Sequence, residues 1–168
     1  TVDLWQRMRI GFELNITDLP SIVDNQREWY LNNPSYLTTV FNRSRPFLYH
    51  VVEELELANL PLELALLPVV ESTYDPLAYS SSHAAGLWQF IPSTGRLYGL
   101  IRNRWYEGRR DVVKSTSAAI TYLSYLLFVS LVSAILVLSR CCCILICFTS
   151  NCFCTISFKI RFVSTIMA

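Results

Sequence analysis

Apolar side chains recur at roughly helical spacing through the first half of the chain, and nowhere do they alternate long enough to suggest a strand. Leu4, Trp5, Met8, Ile10 and Phe12 predict a first short helix. Asp18 and Pro20 read as the start of a second helix, and Asn32, Asn33 and Pro34 as its end. The stretch from Pro34 to Leu60 predicts one or two helices, broken or kinked near Pro46. Pro61 fits the first position of a further helix, LELALLPVV, with Asn59 as its cap two residues earlier. Pro68 falls inside that helix and is expected to bend or shorten it just before Glu71.

Beyond Glu71 the pattern changes. STYDPLAYSSSHAAG is rich in turn formers, and Gly86, Gly95 and Gly99 punctuate the short elements that follow. Asp111 then caps the helical run DVVKSTSAAITYLSYL. From Ser115 to Ser139 there are 25 residues without a charge, enough to meet the length criterion for a membrane span. The expected fold class is all-α.

Charge sharpens this division. The chain of 168 residues has a formal net charge of +1, which gives no electrostatic case for nucleic acid. Residues 1–111 hold ten basic and thirteen acidic side chains, a net −3, whereas the remainder holds four basic ones and no acid. All six cysteines lie between Cys141 and Cys154. Their C-C-C-x3-C-x4-C-x-C spacing lacks paired C-x2-C ligands and a nearby histidine, so neither a metal site nor a disulfide framework is expected. The sequons at Asn15 and Asn42 are short enough to arise by chance. Thr1 is followed by no leader pattern, and TVDLWQRMRIGFEL reads as the interior of a longer protein.

The stretch VVESTYDP carries the candidate chemistry. Glu71 ends the apolar run LALLPVV, and an apolar wall keeps a proton on a carboxyl group. Ser72 supplies a hydroxyl that could orient it, and Trp88, Gln89 and several Ser and Tyr hydroxyls follow within 20 residues. That inventory suits a carbohydrate cleft, although an ordinary helix-end carboxylate is the plainer alternative. Most glycoside hydrolases need two carboxylates. Asp75 in Y-D-P reads as a turn starter and Asp111 as a helix cap, so the chemistry must work with one. Trp88 is expected in the core, Gln89 as a holder of a sugar amide or hydroxyl group, and His83 in a surface loop. His50 is expected to be packed and hydrogen-bonded.

LPLELALLPVVESTYDPLAYSSSHAAGLWQFIPSTGRLYGL resembles the catalytic domain of lytic transglycosylases of the membrane-bound murein transglycosylase D type, within the soluble-lytic-transglycosylase, lysozyme-like superfamily. The resemblance runs from about Leu4 to Leu126 and is most specific at the E-S and G-L-W-Q motifs. It implies an all-α lysozyme-like lobe that needs no cofactor or metal. Its implied partner is the glycan strand of peptidoglycan, cleaved without water at the β-1,4 bond after N-acetylmuramic acid. On this resemblance Glu71 is acid and then base, and Ser72 belongs to the same motif. Ser80 and Gln89 match positions lining the glycan cleft, and Gly86 shapes the turn of the second motif. The implied location is the bacterial envelope, on the periplasmic side.

The chain departs from the family after Leu126, where LFVSLVSAILVLSRCCC stands in place of a Gly-Asp-Trp turn and an Ala-Ala-Tyr-Asn motif. Three segments are therefore expected. Residues 1–55 form a helical lead-in, 56–126 an incomplete catalytic core, and 127–168 an aberrant hydrophobic tail. A shifted reading frame is the preferred account of the tail, and a membrane-anchoring segment the other. The competing functional expectations are a true hydrolase and a non-catalytic glycan-binding or membrane-associated fragment.

Overall fold

A computed structural model describes the backbone of residues 3–13 and 21–138. Six α-helices and one 3-10 turn make up the described fold, in the order α1 (Leu4–Ile10), α2 (Ser21–Asn32), α3 (Pro34–Leu57), a 3-10 turn (Leu62–Leu66), α4 (Leu67–Ser72), α5 (Pro92–Leu97) and α6 (Val112–Leu138). Only isolated bridges, Tyr79 with Ala85, Ala85 with Phe90 and Arg102 with Glu107, interrupt this helical character among the described residues. The start expected for α2 at Asp18 and Pro20, the sequon at Asn15 and the cysteine-rich tail lie outside the described residues.

The long helix α3 is the floor of the lobe. Val40, Ser44, Leu48, Val51, Val52 and Leu55 are buried along it at three- and four-residue spacing, the stripe a core-facing helix requires. The break expected at Pro46 does not occur, and α3 runs through it as one helix. Pro46 removes one backbone donor, but Pro46 and Asn42 are both exposed, so water can meet the freed carbonyl. Asn59 also differs from expectation. It sits two residues past the end of α3 with φ 51°, and its N–H donates to Glu56 O, so it terminates α3 instead of capping the next helix.

LELALLPVV is likewise two elements and not one helix. Pro61 precedes the 3-10 turn, and Pro68 stands in the first turn of α4, where its missing N–H costs nothing. Proline therefore restarts the helix three residues before Glu71, so that Glu71 lies inside α4. Every residue of the 3-10 turn is buried, and the turn packs against α1, α3 and α4. The helix α6 packs back on α3, and Leu123 joins the main core. A smaller cluster of Phe90, Leu100, Ala118 and Ala119 lies beside it, with Trp88 bridging the two.

Candidate active site

The end of α4 is shaped by a sharp change of backbone direction. Thr73 and Tyr74 both have left-handed φ values, 53° and 57°, which stops the helix directly after Glu71 and Ser72. Such a conformation in two consecutive non-glycine residues needs external support. The fully buried Tyr74 supplies part of it by donating its hydroxyl to Ala65 O at 2.7 Å, and burial pushes its phenol pKa up. Ser72 donates its hydroxyl to Leu87 O at 2.8 Å, with Pro68 O at 3.2 Å. Ser72 thereby staples α4 to the G-L-W-Q turn.

The turn itself depends on Gly86, at φ 83°. A Cβ there would stand 1.8 Å from Arg109 O, so no larger residue fits without displacing backbone. Gln89, also left-handed at φ 49°, donates its side-chain N–H groups to Gly86 O at 2.9 Å and Ala78 O at 3.3 Å. Two carbonyl acceptors fix the amide nitrogen on that side and leave the amide oxygen as the group that can receive a donor from a ligand. Ser80 closes the preceding loop, its Oγ accepting from Ala84 N at 3.1 Å.

Glu71, partly buried, lines a cavity of about 230 Å³ together with Leu67 from α4. Trp88, Gln89, Phe90 and Ile91 form a second side, Thr94 comes from α5, and Ala119, Tyr122 and Leu123 come from α6. Glu71 and Gln89 are thus brought together across one space, whereas Ser72, Ser80 and Gly86 do not line it and brace the chain around it. Trp88 is both core and lining. Its Nε1 donates to the buried Thr116 Oγ1 at 3.0 Å, tying the turn to α6.

The bracing residue that sequence reasoning missed is Arg109. Its side chain is 3% exposed and holds Glu107 through two hydrogen bonds of 2.8 and 2.9 Å. Its Nη1 donates to His83 O at 2.7 Å and Phe90 O at 2.9 Å, clasping both ends of the turn. These bonds from Arg109 hold the Glu107 carboxyl below its ordinary pKa. The only signal in the sequence was the R-R-D run, which carries no hint of distant carbonyls.

The remaining expected roles resolve simply. Asp75 accepts from Leu77 N at 2.9 Å in a turn. Asp111 accepts from Lys114 N at 3.0 Å and caps α6, a bond that lowers its pKa. His83 is exposed and meets the Tyr79 hydroxyl at 2.6 Å. His50 departs from expectation, because its buried Nε2 has no hydrogen-bond partner among the described residues. Among those residues, no cluster of three metal-binding side chains occurs.

An all-α, lysozyme-like lobe with one glutamate in a mostly apolar cavity is the class that this fold and site define. Residues 52–136 match the transglycosylase SLT domain, and the chain belongs to that family. The match reaches ten residues past Leu126, and α6 crosses that position without interruption. The chain is 45% identical over 124 residues to the membrane-bound lytic murein transglycosylase D of Escherichia coli K12, covering 74% of this chain and 27% of the relative. The same figures hold for its namesake in Escherichia coli O6:H1. A protein of Alteromonas sp. (strain M-1) named for tributyltin chloride resistance is 46% identical over 84 residues, 50% of this chain and 41% of its own. The chain thus spans about a quarter of the length of the first two relatives.

Proposed function

We propose that the chain is a lytic transglycosylase acting on peptidoglycan glycan strands, with Glu71 as acid and then base. Glu71 protonates the glycosidic oxygen as the bond to the anomeric carbon of N-acetylmuramic acid breaks. The resulting carboxylate takes the proton of the muramoyl 6-hydroxyl, whose oxygen bonds to that carbon and gives a 1,6-anhydro product. No water is consumed, and the internal nucleophile needs no second carboxylate because it is already held close. What carries the reading is the cavity. Among the described residues lining it Glu71 is the one carboxylate, set among Gln89, Thr94 and Tyr122 as neutral hydrogen-bonding groups and Trp88 as an apolar platform. The same reading assigns the chain to the bacterial cell envelope, on the periplasmic side.

Purified sacculi provide the test. The chain is expected to release anhydromuropeptides, read by mass spectrometry, and Glu71→Gln to slow that release roughly 10²–10⁴-fold while sacculi still bind. An unchanged rate would remove Glu71 as the acid, and reducing-end products would mark a hydrolase. A second reading, a glycan-binding fragment without turnover, is favoured by Tyr125 and Phe128, which stand 58% and 65% exposed on α6 beside the cleft wall. Binding of sacculi by the parent chain with no product, unaltered in Glu71→Gln, supports that reading.

A further inference from the structure

Charge is unevenly distributed along the part of the chain that surrounds the cleft. Residues 1–95 carry five arginines against eleven acidic side chains, whereas residues 96–111 carry five arginines against two. The basic stretch is α5 and the hairpin behind it. The Arg102–Glu107 bridge closes that hairpin, and Asn103 Oδ1 accepts from Trp105 N at 2.8 Å and Tyr106 N at 2.7 Å to form its tip. Arg109 clamps its base to the lobe, so the tip projects from a fixed support.

The projecting side chains are of two kinds. Trp105 is 88% exposed, Leu97 78% and Ile101 66%, all uncovered by the lobe. Arg96, Arg102 and Arg104 are exposed among them, and the Arg104 guanidinium lies 5.5 Å over the Trp105 ring. Arg96, Ile101 and Arg102 line a common groove of about 500 Å³ on α5, whose Thr94 faces the catalytic cavity.

We propose that this hairpin docks the lobe on an anionic lipid bilayer. A net-positive patch on an otherwise acidic body gains from a partner that is itself negative and repels the rest. Uncovered Trp, Ile and Leu gain nothing from a small soluble anion, but they lose exposed apolar area at the headgroup boundary, where tryptophan is favoured. The arginines would meet lipid phosphates as the apolar tips enter, and α5 would then hold the cavity mouth at a set height above the surface. This surface lies at the start of α6, and 27 helical residues of about 1.5 Å each separate it from that helix's other end. It is therefore a different contact from any made by the C-terminal half of α6, and it does not rest on the catalytic reading.

Co-sedimentation of the full chain with vesicles of roughly 3:1 phosphatidylcholine and phosphatidylglycerol tests it. Binding is expected to the anionic vesicles, weakening as salt shortens the Debye length, and to be slight with phosphatidylcholine alone. Arg96→Gln and Arg104→Gln are each expected to weaken it roughly fivefold. Trp105→Ala should weaken it further, and a blue shift of tryptophan emission on binding should be lost in Trp105→Phe. All three positions are exposed, and unchanged circular dichroism confirms the fold of each variant. The proposal is overturned if the parent ignores anionic vesicles, binds neutral ones equally well, or binds as tightly when all three side chains are replaced. Arginine-dependent binding to sacculi without vesicle binding would also overturn it, assigning the surface to peptidoglycan.

Discussion

The part of the cleft built from α4 and the turn after it, which carries Glu71 and Gln89, is fastened through backbone carbonyls, whereas the part built from α6 is fastened by packing. On the first side, Ser72, Tyr74, Gln89 and Arg109 each donate to a main-chain oxygen of another segment, Gln89 to Ala78 O. On the second, Ala118, Ala119 and Leu123 are buried by contact, and the bond from Trp88 to Thr116 crosses to the turn. A turn with four non-glycine residues at positive φ nearby cannot be set by a hydrophobic stripe, because no stripe specifies carbonyl directions. A helix can, because its backbone is already satisfied.

The two walls are therefore expected to break differently. Gly86→Ala places a methyl group against Arg109 O and is expected to cost about 3–5 kcal/mol, read as the shift of the denaturation midpoint. Arg109→Lys keeps the charge but cannot both fork onto Glu107 and reach two carbonyls. A loss of about 2–4 kcal/mol is expected by the same measurement. On the other wall, Thr116→Val removes one bond from a helix that packing still holds. Only about 1 kcal/mol should be lost, with cavity residues unmoved by NMR shift mapping. A larger loss at Thr116 than at Arg109 would erase the distinction.

Acid gives the finest test. Because Arg109 lowers the native pKa of Glu107 from its ordinary 4.5, the unfolded chain takes up the proton first as pH falls. The contribution of Glu107 is therefore complete above that value and lost as pH falls through the lowered native one. Unfolding midpoints between about pH 3 and 6 should drop more steeply in the parent than in Glu107→Gln.

The same contrast explains what was legible in the sequence. The helical run after Pro34, the turn at Asp75 and the cap at Asp111 are local patterns, and each stands where the pattern put it. Pro46 misled because its cost depends on whether Asn42 O faces water, which depends on the fold around it. Asn59 misled because the same residue type suits the end of one helix and the start of another, and only its φ decides. Arg109 was invisible because its partners lie 19 and 26 residues upstream and are main-chain oxygens, which every residue has.

That separation also sets an order in time. During synthesis His83 leaves the ribosome 26 residues before Arg109, a delay of about one to five seconds at roughly 5–20 residues per second. Throughout that interval the turn beside Glu71 exists without the guanidinium that clasps it. A nascent chain stalled before Arg109 would therefore present the glutamate but not the pocket.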